Sequence, residues 1–455
     1  MFDLAHVCTE ATVTDQLVGK RWWRRMGFRA GTIYLVLYNF DSLTRLLPGF
    51  KWADELWTNA WLAIGPWVGK HVLGISYSFS GVANGSGDKT FNYVQLFCYF
   101  GLALVGGLIW SRFDRAGRHD PQIHDLLRVS VRYVLAASMF VYGLSKIFHL
   151  QMPEPGPGRL MEPYGESSPM GLLWTFMGYS AVYSFIAGAA EVLGGVLVLF
   201  RRTATLGAMV IFGVMLNVTI MNFCFDVPAK LDASHLVLMA VFVMWTDLKR
   251  LANLLVFNQP APAVNLAPLW FGHIVDGGSG PRWLARIRTH PERAALAVKV
   301  FVLGWLLYST LDPMFDRYVT PQKNSEFVGI YKVESFARNG QDVPLLITDE
   351  KLWHRMGVDS YGGIMALTVR TMNETARRFT LKVDSAKHTW EIAPRGESPP
   401  KVTTLSFKRI GADLLLLEGP WDGETVSVQL RRLPSDHYLL MNRGFRWINE
   451  APFNR

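Results

Sequence analysis

Residues 180–200 read SAVYSFIAGAAEVLGGVLVLF, an apolar run with a single carboxylate, Glu191, near its middle. An apolar stretch of roughly 20 residues is long enough for a helix to cross the hydrocarbon core of a bilayer. A carboxylate at that depth is costly unless it is protonated, paired or turned toward an internal cavity. The stretch therefore predicts a membrane helix, and it makes Glu191 the first candidate for a functional side chain.

The whole chain is more apolar than soluble domains usually are. Its 455 residues are 50% hydrophobic, with a mean hydropathy of +0.16. The net charge of +9 is spread between the apolar segments, which is typical of topology signals and argues against nucleic acid as a partner. Cys8, Cys98 and Cys224 show no paired spacing, so we expect neither a disulfide framework nor a thiolate metal site.

Seven apolar segments are long enough to be membrane spans. Every second connection between them carries basic residues, and the alternate connections do not. The positive-inside rule then predicts a cytoplasmic N-terminus and an outer C-terminus, which is periplasmic in a bacterial inner-membrane protein. The first 25 residues have no apolar core, so we expect no cleavable signal peptide. The predicted spans are Phe28–Leu47, Phe91–Trp110, Val129–Phe148, Ser180–Phe200, Ala204–Phe225, Leu231–Thr246 and Ala294–Leu311.

The pattern changes after the seventh span. From about Glu326, short runs of alternating polar and apolar residues are separated by turn signals such as RNG and WDGE. We expect about eight antiparallel strands that meander and close into a small barrel or sandwich. The predicted domains are an N-terminal segment (1–26), a helical core of six spans (27–257), a cytoplasmic linker (258–293), the seventh span (294–312) and a periplasmic β domain (326–455).

Two outer connections have unusual compositions. Residues 51–89 carry tryptophans at positions 52, 57, 61 and 67. Because indole prefers headgroup depth, this stretch predicts an amphipathic helix in the membrane interface. Residues 150–171 contain PEPGPG followed by RLMEPYGESSPMG. Proline and glycine at that density exclude one continuous helix and predict an ordered or gating loop.

Two sequence runs resemble a known family. YGLSKIF (142–148) and GLLWTFMGYSAVYSFIAGAAEVLGGVLVLFRRTATLGA (171–208) resemble the DoxX family of bacterial inner-membrane proteins. SGVANGSGDKTFNYV, NFCFDVPAKLDASH and the terminal RGFRWINEAPFNR look like a larger DoxX-like subgroup with an appended β domain. This resemblance implies a membrane-bound redox role linked to a quinone. A more distant similarity to the membrane domain of vitamin K-dependent carboxylase-like proteins implies that Lys146 acts as a base.

Glu191 and Lys146 are the predicted catalytic pair, and each has a structural alternative. Glu191 either carries a proton for a cofactor or is a structural carboxylate bonded to backbone or to Asn217. Lys146 ends the third span, where it either snorkels to the headgroups or shares one helix face with Tyr142 and His149. Because Glu191 lies mid-span and Lys146 at a span end, we expect no direct salt bridge between them.

Further polar residues are predicted at the outer ends of the helices. Asp41 and Arg45 are four residues apart and should pair on one helix face. Asp226, Asp232 and His235 lie at the outer boundary of the fifth and sixth spans, and Asp232 has the sequence context of an N-cap.

Two classes of function remain open. In the first, the protein is a quinone-linked or lipid-cofactor-linked oxidoreductase, with Glu191 and Lys146 as catalytic residues. In the second, it is a non-enzymatic membrane scaffold or lipid-binding protein whose β domain docks an envelope partner. The predicted pocket residues for the enzyme are Asp41, Arg45, Tyr142, His149, Asn217, Asp226 and His235.

Overall fold

The computed structural model describes residues 22–46, 49–261, 291–319, 325–361, 363–396, 401–444 and 447. The predicted N-terminal segment up to residue 21, and the predicted linker from residue 262 to residue 290, lie outside the described residues. The chain forms two compact units. The first unit comprises Met1–Ile147 with Phe185–Asp312, and the second comprises Phe148–Ser184 with Pro313–Arg455.

Helices make up most of the first unit. The helices before residue 262, in chain order, are α1 (22–38), α2 (Phe40–Leu46), α3 (Lys51–His71), α4 (Thr90–Phe113), α5 (Asp120–Ile147), α6 (Pro157–Leu160), α7 (Pro169–Tyr179), α8 (Ala181–Leu199), α9 (Ala204–Cys224), α10 (Lys230–Met244) and α11 (Leu248–Leu255). α12 (Pro291–Val319) follows, and α13 (Leu439–Asn442) lies near the C-terminus. The short α6 and α7 belong to the second unit.

Five helices in the described part of the chain are long and apolar enough to cross a membrane. They are α4, α5, α8, α9 and the run of α10 into α11, and they coincide with the second to sixth predicted spans. The predicted count of seven is not confirmed. The first predicted span is interrupted at Asn39, whose side-chain amide donates to the Leu35 carbonyl. Among the described residues of α12, Val300–Asp312 forms an apolar stretch.

The C-terminal strands form a closed, meandering barrel, which decides between the two predicted alternatives of a barrel and a sandwich. Eight antiparallel strands pair in the order β1-β3-β4-β5-β6-β7-β8-β9, and β9 pairs back with β1. β2 pairs with β1 alone among the described strands. The strands are β1 (Gly329–Arg338), β2 (Gln341–Asp342), β3 (Trp353–Tyr361), β4 (Ile364–Thr371), β5 (Ala376–Asp384), β6 (Thr389–Pro394), β7 (Thr403–Ile410), β8 (Leu414–Trp421) and β9 (Glu424–Leu433).

Alternation of side chains along the strands explains the barrel interior. Inward positions are filled by large apolar residues, and Trp353 and Trp390 are fully buried there. Outward positions carry charged residues, as in the ion pair between Glu334 of β1 and Arg431 of β9. This two-residue period produces a packed core in a small barrel rather than a channel.

The proline-rich segment forms part of the second unit rather than a continuous helix, as its composition predicts. The backbone N–H of Gly158 donates to the Asp359 carboxylate on β3 at 3.1 Å. A Cβ added at Gly156 would lie 2.3 Å from the same carboxylate, so a larger residue there would displace the Asp359 side chain. Arg370 of β4 also pairs with Glu166, with Nη2 and Oε2 at 2.7 Å. These contacts order residues 156–166 against the barrel.

Candidate functional site

The structure contains a buried ion pair between Lys146 and Glu191. Lys146 Nζ lies 2.7 Å from Glu191 Oε1 and 3.0 Å from Oε2. The Lys146 and Glu191 side chains are only 6% and 1% exposed. The expectation that these two groups lie too far apart for a salt bridge was therefore wrong. Lys146 does not snorkel, because its ammonium group is directed at a carboxylate within the helical unit.

Two glycines bring the ion-pair partners together. A Cβ added at Gly143 of α5 would lie 2.7 Å from the Gly188 carbonyl oxygen, and one at Gly188 would lie 2.4 Å from the Gly143 carbonyl oxygen. The backbones of α5 and α8 thus touch, in the manner of small-residue helix contacts in membranes. Lys146 and Glu191 each follow one of these glycines by three residues, so each lies on the contacting face.

Three other predicted pocket residues lie elsewhere. Asn217 is exposed on α9, so it does not play the predicted role of partner to Glu191. His149 was predicted to share one helix face with Tyr142 and Lys146. However, α5 ends at Ile147, and His149 has a left-handed backbone with φ of 54°, so His149 lies beyond the end of this helix. The side chain of Asp226 is 85% exposed and pairs with Lys230.

A cavity of about 480 Å³ lies in the first unit and is lined by residues of α1–α5, α10 and the loop 81–89. It brings together three of the predicted pocket residues, Asp41, Arg45 and Tyr142. Lys146 does not line the cavity, but Tyr142 does. The Lys146 ammonium lies 5.9 Å from the centroid of the Tyr142 ring. The buried ion pair is therefore separated from the cavity by one aromatic ring.

The charges in the cavity wall are only partly compensated. Arg45 lies 3.9 Å from Asp41, as the four-residue spacing predicts, but its closer partner is Asp54, with Nε and Oδ2 at 3.1 Å. Asp232 accepts a hydrogen bond from the Tyr38 hydroxyl at 3.1 Å and has no basic partner within salt-bridge distance among the described residues. The cavity wall thus presents two carboxylates against one guanidinium that is shared with Asp54.

His235 supports the cavity from behind Tyr38. Its ring stacks on the Tyr38 ring, with centroids 3.9 Å apart and planes at 9°. Nδ1 lies 2.7 Å from the Leu231 carbonyl oxygen, which can only accept, so this nitrogen carries a hydrogen. Nε2 lies 2.6 Å from the Tyr34 hydroxyl. His235 is 8% exposed, so the structure gives it a positioning role next to the cavity.

The glycine-rich loop before α4 closes one side of the cavity. Asp88 accepts hydrogen bonds from the backbone N–H groups of Lys230 and Leu231, at 2.8 Å and 3.0 Å. Asp88 therefore supplies the cap of α10, and the prediction that Asp232 is this N-cap was wrong. Asp232 instead lies in the first turn of α10 with its carboxylate in the cavity wall.

Aromatic residues of α3 and α4 form a wall of the cavity that sequence reasoning missed. Trp61 packs edge-to-face on Tyr99, with ring centroids 4.9 Å apart, and Trp57 lies against the same tyrosine. Gln95 donates to the Tyr99 hydroxyl at 2.8 Å. In the sequence, Trp57 and Trp61 are four residues apart, and so are Gln95 and Tyr99. This spacing places each pair on one face of its helix, and it is the signal that could have predicted the contact between α3 and α4.

No three His, Cys, Asp or Glu side chains come together as metal ligands in the described part of the chain. The polar and aromatic side chains in the cavity wall could hold an organic ligand through hydrogen bonds and ring contacts. The volume of the cavity lies within the usual range for small-molecule sites, about 300–1,000 Å³.

The fold combines apolar helices long enough to cross a membrane with a closed eight-stranded β-barrel, and its candidate site lies among the helices. Comparison with known proteins finds a relative in the uncharacterized protein YwoB of Bacillus subtilis (strain 168), which is 32% identical over 146 residues. The match covers 32% of this chain and 92% of YwoB. The chain thus belongs to the family of YwoB. No family model and no solved structure matches the chain significantly.

Proposed function

We propose that this protein binds the ring of a quinol, or of a closely related hydroxylated lipid cofactor, in the cavity of its first unit. The proposal rests on one observation: the carboxylates of Asp41 and Asp232 line the same cavity as a wall of aromatic side chains. The family relationship assigns no activity, because its named member is itself uncharacterized.

The charge of the cavity favours a ligand that donates hydrogen bonds. Arg45 is held by Asp54 and Asp41, and Asp232 adds a further acceptor. A carboxylate accepts hydrogen bonds only, and it repels an anion placed beside it. Hydroxyl groups on a neutral ring suit this arrangement, whereas small inorganic anions do not.

The shape of the wall favours a flat ring with an apolar tail. Trp57, Trp61 and Tyr99 provide ring faces and edges, which bind aromatic ligands through offset and edge contacts. The remainder of the wall is mixed, with apolar side chains such as Leu96 and Met239 beside polar ones such as Asn92 and Ser138. Such a mixture of polar and apolar groups matches an isoprenoid cofactor better than a fully polar substrate.

The chemistry of the ligand follows from the same acceptors. Asp41 and Asp232 would accept hydrogen bonds from the ring hydroxyls of a quinol, so the cavity favours the reduced form of the ring over the quinone, which carries no hydroxyl hydrogens. The Tyr99 hydroxyl accepts a hydrogen bond from Gln95, so its own hydrogen is available to a ligand oxygen.

Within this proposal Lys146 and Glu191 act as positioning residues. Their ion pair joins α5 to α8, and Lys146 lies beside the ring of Tyr142. The catalytic role predicted for both residues stays a prediction. A carboxylase-like mechanism receives less support, because the Lys146 ammonium donates to both oxygens of Glu191 and does not line the cavity.

The cellular placement is part of the proposal. The distribution of basic residues supports a cytoplasmic N-terminus and an outer β-barrel. We propose a bacterial inner membrane with the barrel in the periplasm. A scaffold or lipid-binding role of the barrel is the second candidate, and the cavities of the second unit described below favour it.

The proposal is tested on the full chain purified in a mild detergent. Isoprenoids are extracted from the protein and quantified by absorbance before and after chemical reduction. The wild type should retain a stoichiometric amount of quinone or quinol, which the double variant Asp41→Asn/Asp232→Asn should lose. Asp226→Asn is the matched control, because it removes an exposed carboxylate outside the cavity. Equal retention in all three proteins would contradict the proposal.

A further inference from the structure

The second unit contains two cavities that meet at Arg159 and Glu162. One, of about 440 Å³, is lined by polar groups that include Asp359, Arg378 and Arg395. The other, of about 640 Å³, is mainly apolar and lies between α7 and the short helix α13. Because both cavities share Arg159 and Glu162 in their walls, together they offer a polar end and an apolar end to one ligand.

The polar cavity carries an excess of positive charge. Arg159 and Arg378 both pair with the single carboxylate of Glu162. The guanidinium group of Arg395 makes no hydrogen bond or salt bridge to any residue that the structure describes. Asp359 adds a second carboxylate, so three arginines face two carboxylates in the wall of this cavity. Guanidinium groups in such a set bind phosphate oxygens in forked hydrogen bonds.

The apolar cavity lies at the start of a candidate membrane span. Phe176 and Tyr179 of α7, Tyr183 of α8 and Leu439 of α13 line it, and all four side chains are substantially exposed. α8 is long enough to cross the hydrocarbon core, so its first turn lies close to the headgroups. Tyrosine is enriched at that depth. The most abundant apolar ligand there is the acyl chain of a membrane lipid.

We propose that the two cavities form one binding site for an anionic phospholipid of the surrounding membrane. The phosphate lies against Arg395, Arg378 and Arg159, and an acyl chain lies along Phe176 and Tyr183 toward Leu439. The neighbouring membrane span favours a lipid over an amphipathic peptide as the occupant. The guanidinium of Arg395, which has no hydrogen-bond or salt-bridge partner among the described residues, favours an anionic headgroup over a zwitterionic one. This site is independent of the cavity in the first unit.

The test uses the full chain in nanodiscs of phosphatidylcholine, with and without phosphatidylglycerol that carries a photoreactive diazirine at the end of its acyl chain. Native mass spectrometry measures the lipid retained after collisional activation, and peptide mapping locates the cross-links. Arg395→Gln removes this guanidinium, and Arg395→Lys keeps the charge. Lys408→Gln is the matched control, because it removes an exposed positive charge on β7.

Phosphatidylglycerol should be retained in preference to phosphatidylcholine, with cross-links in residues 172–183 and 438–440. Arg395→Gln should reduce this retention about tenfold, the effect of losing one charge-assisted contact, while Lys408→Gln leaves it unchanged and Arg395→Lys restores part of it. Equal retention of the two lipids, equal retention by wild type and Arg395→Gln, or cross-links confined to other helices would each overturn the proposal. Quinol binding in the first unit is measured separately, so failure of either site is distinguishable.

Discussion

Lys146 Nζ lies 2.7 Å from Glu191 Oε1 at the point where the backbones of α5 and α8 touch through Gly143 and Gly188. The ammonium and the carboxylate are both withdrawn from the surface, so each compensates the burial of the other. The runs YGLSK and AGAAE are therefore two halves of one contact, in which a glycine permits the approach and the charge three residues later closes it.

The first prediction concerns the coupling between these two charges. Lys146→Met or Glu191→Gln alone should destabilise the protein by about 3–5 kcal/mol, because each leaves its partner buried without compensation. The double variant should be much less destabilised than the sum of the single variants. Thermal unfolding in one detergent, measured for all four proteins, gives the coupling. Additive losses would show that the two residues do not interact as described.

A second prediction tests the glycine contact. Gly143→Ala should destabilise the protein by about 1–3 kcal/mol, because the new methyl group overlaps the α8 backbone and must separate the helices. Gly213→Ala is the control, since a Cβ added there meets nothing within 4 Å. It should be neutral or stabilising by up to about 1 kcal/mol, the helix preference of alanine over glycine. The same unfolding assay compares them, and similar losses in both variants would contradict the close helix approach.

The third prediction concerns the cap of α10. Asp88→Ala removes the acceptor of two backbone N–H groups at Lys230 and Leu231, and the loss of a cap costs about 0.5–2 kcal/mol. Hydrogen exchange, followed by mass spectrometry, should accelerate in peptides that cover the loop 81–89 and the first turn of α10. Asp226→Ala is the control, because its exposed carboxylate pairs with Lys230 but caps no backbone group in the described structure. Unchanged exchange in Asp88→Ala would rule out the capping role.

A pH dependence follows from Glu166 and Arg370 in the second unit. The hydrogen bond from Arg370 lowers the pKa of Glu166 below its usual value. The pair therefore stabilises the segment near Glu166 fully above the unfolded-state pKa, about 4.3, and this contribution is lost as the pH falls through the lower folded-state pKa. Glu166→Gln should thus accelerate hydrogen exchange in residues 160–171 at pH 7, relative to the wild type.

At pH 3 the difference between Glu166→Gln and the wild type should shrink, because the wild-type carboxylate begins to be protonated as well. Glu391→Gln, which removes an exposed carboxylate on β6, should match the wild type at both values. A difference that stays constant between pH 7 and pH 3 would show that Glu166 acts through packing rather than through its charge.

The sequence predicts the elements well because their signals are local. The apolar run around Glu191 marks a membrane helix by its length alone, and the alternation of residues after Glu326 marks strands by its period of two. The meander closes because consecutive strands pair in order and the last returns to the first. The apolar run and the alternation do not depend on contacts between distant parts of the chain, whereas closure of the barrel requires β9 to pair with β1.

The candidate site was only partly predictable, because it depends on how far neighbouring helices are shifted along their axes relative to one another. Lys146 ends α5 and Glu191 lies mid-way along α8, which suggests different depths if the helix ends are level. The contact of Gly143 with Gly188 shows that the ends are not level. Asp88 was missed for a related reason, since the sequence does not reveal that a distant loop caps α10.

The most direct test of the account is the dissociation constant of decylubiquinol for the full chain in nanodiscs, measured at pH 7 for the wild type, Asp232→Asn and Asp226→Asn. We expect saturable binding by the wild type and no change for Asp226→Asn. Binding should be at least about tenfold weaker for Asp232→Asn, because a hydrogen bond to a charged acceptor is lost. Non-saturable partitioning into the bilayer, or the same constant for all three proteins, would contradict a quinol site in this cavity.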